Sequence, residues 1–353
     1  MMLSQRMIDL EAYVPGEQPQ DQKYIKLNTN ENPFGPCPEV EEVLKNFNTE
    51  ELRLYPDPSS RELRQKIADL ENLSPEQVFP GNGSDEVLSF CFYAFFDNRK
   101  GPILFPNPSY SFYSVYSNYY KIAFQEIPLT DQWQIELADY LKLSSSGVIF
   151  PNPNAPTGCA LSLGVITSFL ESYDSNNAVI IDEAYIDFGC ETASTLINRF
   201  PNLIVIRTMS KGFSLAGVRL GYALGSEEVI SALFTVKDSF NSYPINRLTQ
   251  KIALAALGDQ DYYSRVNQII VSEREKLSRL LSHMGWKVLP SQANFIFTRH
   301  NEIPGKEVYE KLKSRGILVR WFNKPRINDF LRVTLGKPEE NQKLISVIKE
   351  LFS

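Results

Sequence analysis

Histidine is scarce in this chain, with His283 and His300 the only two in 353 residues. Neither has a nucleophile or a metal-type ligand close by in sequence, so both read as surface residues and no metal centre is expected. Cysteine is almost as rare. Cys37, Cys91, Cys159 and Cys190 form no C-x-x-C pair, which argues against a disulfide framework or zinc site and for reduced thiols. No run approaches the ~20 apolar residues that a membrane-spanning helix needs. Residues 1–22 lack the basic head and apolar stretch of a secretory signal. The formal net charge is -6, and no basic stripe marks a nucleic-acid surface. Internal repeats and low-complexity segments are absent too. These absences leave a soluble cytoplasmic protein that handles small molecules.

What is present points to a two-part α/β chain. Apolar residues make up 43% of it, enough for a substantial core, and the length suggests two domains. Over residues 60–240, helical segments alternate with short β-branched runs: Gly147-Val148-Ile149-Phe150, Ala178-Val179-Ile180-Ile181 and Leu203-Ile204-Val205-Ile206. Each run is too short for a buried helix and ends in turn residues, the pattern of buried parallel strands. Residues 246–284 read as helical almost throughout, with Val266, Ile269, Ile270, Leu277, Leu280 and Leu281 on one stripe and Gly285 as the stop. Beyond it, strands at 294–298, 317–320 and 330–335 alternate with helices, and a helix at 339–352 closes the chain. The expected division is an N-terminal arm, 1–29, packed on the small domain; a large domain, 30–250; and a linking helix with a small α+β domain, 251–353.

The chemistry-bearing residues stand at the ends of the expected strands. Gly81-Asn82-Gly83-Ser84-Asp85-Glu86 lies between a strand and an apolar helix. Its glycines allow a tight turn, Ser84 or Asp85 can cap the helix, and a helix start with free N–H groups is a ready anion site. No Gly-Lys-Ser/Thr follows, so it is not a Walker A loop. Gly217-Val218-Arg219-Leu220-Gly221 is likewise no dinucleotide fingerprint. Asp182 directly follows one apolar run, with Tyr185 three positions on. Lys211 follows the next, in Ser210-Lys211-Gly212, and Arg219 comes eight positions later. In open α/β sheets ligands lie outside the carboxyl ends of the strands.

Pyridoxal 5′-phosphate needs these residue types. A lysine amine forms a Schiff base with its aldehyde. A carboxylate, here Asp182, keeps its ring nitrogen protonated so that the ring accepts electrons. A phenol such as Tyr185 donates to the ring oxygen. Ser84, Asp85, Ser210 and Arg219 suit the phosphate, and Tyr110 can stack on the ring. The other aromatics of that stretch, Phe112, Tyr113, Tyr116, Tyr119 and Tyr120, have the spacing of a buried helix face and read mostly as core.

Together, Asn154-Ala155-Pro156-Thr157-Gly158, Asp182-Glu183-Ala184-Tyr185, Ser210-Lys211 and Arg219-Leu220-Gly221-Tyr222 resemble the fold-type I aminotransferases over nearly the whole chain. The histidinol-phosphate aminotransferase family is the narrower resemblance. It rests on Tyr13-Val14-Pro15-Gly16, Leu27-Asn28-Thr29-Asn30-Glu31-Asn32-Pro33, Leu54-Tyr55-Pro56-Asp57, Phe213-Ser214-Leu215-Ala216-Gly217 and Asn241-Ser242-Tyr243-Pro244. The resemblance implies a mostly parallel central sheet in a large domain plus a smaller α+β domain, with Lys211 as the cofactor lysine and catalytic base. It implies a homodimer in which Tyr55 reaches the cofactor phosphate of the neighbouring subunit. The family's asparagine before Pro-Thr-Gly is Ala155 here, and Asn154 is the substitute for its contact with the ring oxygen. Arg320 and Arg332 match arginines that hold the substrate anion, with Tyr13 and Asn30 beside them; a dianion justifies two arginines and a phenol. The implied reaction passes the amino group of histidinol phosphate to 2-oxoglutarate, giving imidazole acetol phosphate and glutamate in histidine biosynthesis. An aromatic amino acid aminotransferase and a threonine-phosphate decarboxylase on the same fold are the alternatives. A non-catalytic module that binds the same cofactor is a remote one, because the chain has no spare length for a DNA-binding domain.

Overall fold

In the computed structural model, residues 2–8, 10, 12, 13, 16–19 and 21–352 are described; Val14 and Pro15 of the N-terminal motif lie outside them. In chain order the strands are β1 (Ile25–Leu27), β2 (Val78–Gly81), β3 (Ile103–Asn107), β4 (Phe124–Pro128), β5 (Gly147–Pro151), β6 (Ala178–Asp182), β7 (Leu203–Thr208), β8 (Gly221–Leu224), β9 (Lys287–Val288), β10 (Phe295–Arg299), β11 (Ile317–Trp321) and β12 (Leu331–Thr334). They form two sheets, ordered β2-β8-β7-β6-β5-β3-β4 and β1-β11-β12-β10-β9.

The three β-branched runs become β5, β6 and β7, paired side by side in parallel. Their uninterrupted apolar character follows from burial on both faces. Alternate residues serve opposite cores. Ile149, Ile180, Ile204 and Ile206 pack with Phe79, Phe92 and Tyr113, while Val148, Val179, Ile181 and Val205 pack with Ile67, Ile166 and Phe169. Each such side chain stabilises the fold by about 1.5–3 kcal/mol relative to exposure. Only β8 runs against its neighbours, β7 and β2. The chain passes from β3 to β4 in one direction and from β5 through β6 to β7 in the other. The reversal opens a crevice at the carboxyl ends of the parallel strands, where ligands bind in such sheets.

In the smaller sheet β12 lies antiparallel between β11 and β10, and β1 joins the edge parallel to β11. Its core gathers Ile270, Leu277, Leu281, Phe295, Val333 and Leu344. The helical stretch expected over 246–284 is two helices, Arg247–Gly258 and Gln260–His283. They part at Asp259, whose carboxylate accepts the Tyr262 N–H at 3.0 Å and so caps the second helix. Its apolar stripe is narrower than the sequence suggests: Ile269 (41%) and Leu280 (36%) are exposed, because neighbours in a helix point ~100° apart and the buried Ile270 and Leu281 take the inward face. Gly285 ends the helix at φ +81°, with the Trp286 N–H returning to the Leu281 carbonyl.

The N-terminal arm touches both parts. Glu17 accepts from Tyr309 and pairs with Lys313 of the Gly305–Ser314 helix. The Tyr13 ring lies 4.2 Å from that of Phe112, which begins a helix on the larger sheet. Among the described residues, no helix is long and apolar enough to cross a membrane.

Candidate active site

The carboxyl ends of β6 and β7 carry the first two groups. Asp182, the last residue of β6, is buried; its Oδ2 accepts from the Tyr113 hydroxyl at 2.9 Å and its Oδ1 from the Ala184 N–H at 3.2 Å. Burial pushes its carboxyl up to about 6, against the pull of those two donors. The adjoining Glu183 points away and makes an ion pair with Arg207 of β7 at 2.8 Å. That pair ties together the strand ends from which Asp182 and Lys211 emerge.

Lys211 follows β7 in a tight turn. Its Nζ donates to the Thr29 carbonyl at 3.2 Å, and its own carbonyl accepts from Asn32 at 3.2 Å. The next residue must be glycine, since a Cβ on Gly212 would lie 2.2 Å from Asp187 Oδ2. Burial lowers the Lys211 amine to about 8, and the Arg332 guanidinium adds to the shift, while Glu31 and Asp85 oppose it. A lysine shifted this far is poised to gain and lose a proton near neutrality.

Tyr185 faces the same space. Its oxygen accepts from Asn30 Nδ2 at 2.9 Å, which leaves the phenol proton free for another partner. Asn30 is buried in a left-handed conformation, φ +56°, that asparagine tolerates better than most residues. Its N–H and Oδ1 bond the Thr334 hydroxyl at 3.0 and 2.9 Å, and its carbonyl accepts from Asn294 at 3.0 Å. Asn30 therefore joins β12 of the small sheet to Tyr185.

An anion cradle lies beside them. The sequence offers Ser84 or Asp85 as the helix cap, but Gly83 (φ +82°) holds that position, and both residues begin the first turn of the Ser84–Phe95 helix. Gly83 suits that position because its φ of +82° is left-handed backbone that glycine adopts without strain. Gly221, opening β8, also brings strand and helix start together; its Cβ would lie 2.3 Å from the Ser84 nitrogen. Arg219 reaches Asp85 Oδ2 at 3.3 Å, and the Tyr110 hydroxyl donates to Oδ1 at 2.9 Å.

Ser84, Asp85, Tyr110, Asp182, Tyr185, Ser210, Lys211 and Arg219 line one cavity of ≈ 200 Å³. Asn154 is not among them. Its amide donates inward to the Pro108 carbonyl (3.2 Å) and Thr157 Oγ1 (3.0 Å), and Ala155 forms the wall in its place. An adjoining cavity of ≈ 470 Å³ brings Tyr13, Asn30, Arg320 and Arg332 to Tyr110, Tyr185 and Lys211. Arg320 and Arg332 are direct partners across β11 and β12. Arg332 gives one N–H to the Asn28 carbonyl at 2.9 Å, its Nε is buried with no partner, and it makes no ion pair among the described residues. Tyr55 lines neither cavity; it is 77% exposed and stacks on Tyr243 at 4.6 Å.

Sequence reasoning missed Tyr113 and Tyr116, taken as core. Both are buried, yet their hydroxyls bond Asp182 Oδ2 and the Asp85 carbonyl. The available signal was that a buried phenol needs a partner. Asn32, Asn294 and Thr334 left no signal, because their contacts span most of the chain.

A crevice that sets a depressed lysine near a buried carboxylate, with an anion cradle alongside, is built for group transfer on a small molecule. The chain belongs to the aminotransferase class I and II family, whose sequence model matches residues 22–348, and it is an enzyme. It is 52% identical over 354 residues to the histidinol-phosphate aminotransferase of Syntrophus aciditrophicus (strain SB), covering 99% of this chain and 98% of that one. Among solved structures, the histidinol-phosphate aminotransferase of Sinorhizobium meliloti, in complex with pyridoxal-5′-phosphate, matches with a TM-score of 0.87 at 23% identity over 99% of this chain and 98% of that one. The L-threonine-O-3-phosphate decarboxylase of Porphyromonas gingivalis matches with a TM-score of 0.77 at 21% identity over 92% and 98%. At these identities the two structural likenesses bear on the fold alone.

Proposed function

We propose that this chain is a pyridoxal-5′-phosphate-dependent transaminase of the cytoplasm that moves the amino group of L-histidinol phosphate to 2-oxoglutarate, giving imidazole acetol phosphate and L-glutamate in histidine biosynthesis. The observation that carries the substrate is the pairing of Arg320 with Arg332 in the cavity that also holds the Lys211 amine. Two adjacent guanidinium groups, one with an orphaned buried Nε, call for an anion with several acceptor oxygens. A phosphate meets that need, as does the α-carboxylate of glutamate. The 52% identity to the Syntrophus enzyme over 99% of this chain supports the same substrate.

The residues fit the cofactor. Ser84, Ser210, Arg219 and the backbone N–H of Asp85 would hold its phosphate at the helix start, Asp182 its ring nitrogen, Tyr185 its ring oxygen, and Lys211 its aldehyde carbon. An electron-poor ring linked to the substrate nitrogen supplies the acidity that a plain amine lacks. Lys211 Nζ would take the proton from the substrate Cα and deliver it to the carbon that carried the aldehyde, and would run the same transfer in the opposite direction with 2-oxoglutarate. Burial has already lowered its affinity for that proton. Arg320 and Arg332 anchor the far end of the substrate, and Tyr13 closes over it from the arm.

The test is a half-reaction. Protein loaded with cofactor is mixed with histidinol phosphate, phenylalanine or threonine phosphate, and conversion of the cofactor to its amine form is followed by absorbance. Histidinol phosphate is expected to convert it fastest. Conversion by phenylalanine alone would make the enzyme an aromatic transaminase, and carbon dioxide from threonine phosphate would make it a decarboxylase.

The active unit in this reading is a homodimer. Leu52, Leu54, Tyr55, Phe240 and Tyr243 are all exposed, an apolar surface suited to a second copy, and Tyr55 would cross it to the neighbour's cofactor phosphate. Tyr55→Phe protein is expected to bind cofactor roughly tenfold more weakly, for loss of one charge-assisted hydrogen bond. Refolded together with Lys211→Ala protein, it is expected to regain activity above the mean of the two, since one site of each mixed dimer is intact. No gain on mixing would place Tyr55 in its own subunit's site. Division into an arm (1–29), a large domain (30–250) and a small domain (251–353) accompanies this reading.

A further inference from the structure

The reaction uses Asp182 but leaves Tyr113 without a part, although Tyr113 is among the most deeply buried large side chains of the chain. Its ring needs no hydroxyl to pack. It meets Phe105 edge-on at 5.8 Å and Tyr110 edge-on at 5.6 Å, within an otherwise apolar cluster. A phenylalanine would fill that space without burying an oxygen, and a buried hydroxyl is unfavourable unless it is bonded. The hydroxyl is bonded, and to one atom: Asp182 Oδ2, at 2.9 Å.

Resting on the cofactor reading above, we infer that Tyr113 is a positioning residue, whose hydroxyl holds the Asp182 carboxylate ionised and in the one orientation that presents a free lone pair to the cofactor's ring nitrogen. Each carboxylate oxygen accepts at more than one site. Tyr113 takes one site on Oδ2 and the Ala184 N–H one on Oδ1, which fixes the plane of the group from both sides and leaves room for a third donor in the cavity. The proton stays with the phenol: burial, and then the negative Asp182, push Tyr113 well above the ordinary tyrosine range. The other charges near Asp182 are Asp85 and Glu183, which both favour its neutral form, and the phenols of Tyr110, Tyr116 and Tyr185 lie close enough to feel its charge. Against burial and two like charges, Tyr113 is the largest influence keeping Asp182 ionised before a cofactor arrives.

The experiment measures binding of pyridoxal 5′-phosphate to cofactor-free protein across acid to neutral pH, for wild type, Tyr113→Phe, Asp182→Asn and the double variant. In wild type, affinity falls on the acid side as Asp182 takes up a proton near pH 6. In Tyr113→Phe, affinity at neutral pH is expected to drop roughly tenfold, and the acid limb is expected to move to higher pH, because a carboxylate that has lost a donor is easier to protonate. In the Asp182→Asn background the same change is expected to do little, as it must if the hydroxyl acts through the carboxylate. A uniform loss at all pH values with the limb unmoved, or an equal loss in both backgrounds, would reduce Tyr113 to packing and overturn the inference. Unchanged binding by Tyr113→Phe overturns it as well. Wild-type protein that binds no pyridoxal 5′-phosphate would overturn the cofactor reading first and this inference with it.

Discussion

Lys211→Ala is expected to lower turnover by about 10³-fold or more, while leaving the protein folded and substrate binding largely intact. The expectation rests on what the side chain does and does not hold up. Its single hydrogen bond is to the Thr29 carbonyl at 3.2 Å. The turn around it is fixed by others: the Asn32 amide on the Lys211 carbonyl, Met209 in the core, and Gly212 against Asp187. Removing a buried amine also removes a desolvation cost, so thermal stability should hold. The pH profile sharpens the test. An ordinary lysine is neutral only above about 10.4, but burial and the nearby Arg332 bring Lys211 down to about 8. In cofactor-free protein the free amine therefore accumulates as pH rises through that value, and the rate at which added pyridoxal 5′-phosphate is captured should climb to a plateau just above it. Exchange of the substrate Cα proton in deuterated water isolates the proton transfer, and an alanine variant that still exchanged it at the wild-type rate would move the base elsewhere.

The second large effect is expected at Arg332. Replacing it with alanine removes a fork that can grip two oxygens of the substrate anion, and loss of two charge-assisted bonds corresponds to roughly 3–4 kcal/mol, or 10²–10³-fold in kcat/KM. Most of it should appear as a higher KM, because the anion itself undergoes no bond change and is gripped alike before and during the reaction. Arg332→Lys should recover only part, since an ammonium keeps the charge but loses the fork. A second consequence separates this residue from a generic anchor. Arg332 helps to depress Lys211, so its removal should raise the lysine and carry the rising limb of the cofactor-capture profile to higher pH. Capture kinetics of Arg332→Ala with an unaltered limb would show that the guanidinium and the amine act independently.

The larger sheet was readable from its sequence because burial on both faces leaves one kind of residue to use: the runs at β5, β6 and β7 carry no polar side chain and are rich in Val and Ile, and the polar residues that follow them, Asp182 and Lys211, fall where such sheets bind ligands. Boundaries were less readable where one side chain decides them. Asp259 breaks a helix that propensity alone would continue, and the left-handed backbone of Gly83 starts the Ser84–Phe95 helix one residue ahead of the polar pair that could have capped it. Site contacts that close across hundreds of positions left no local trace, as with Asn30 and Thr334. Asn154 failed for a related reason: its neighbours in space, Pro108 and Thr157, claim its amide, and only the path of the backbone tells that it turns inward where Ala155 turns out.

The cores of the two sheets meet at Phe297 and Phe330, and the groups of the site divide between the sheets. Lys211, Asp182 and the anion cradle stand on the larger; Arg320 and Arg332 stand on the smaller, and Tyr185, which follows β6, packs its ring against Phe295 of the smaller. On the proposed function, bond-making machinery and the choice of what is accepted are thereby encoded in different stretches of the gene. Selection, or an engineer, can rework β11 and β12 to admit a new side chain without rebuilding the floor on which the chemistry is done, which suits this scaffold to descent with altered taste rather than altered craft.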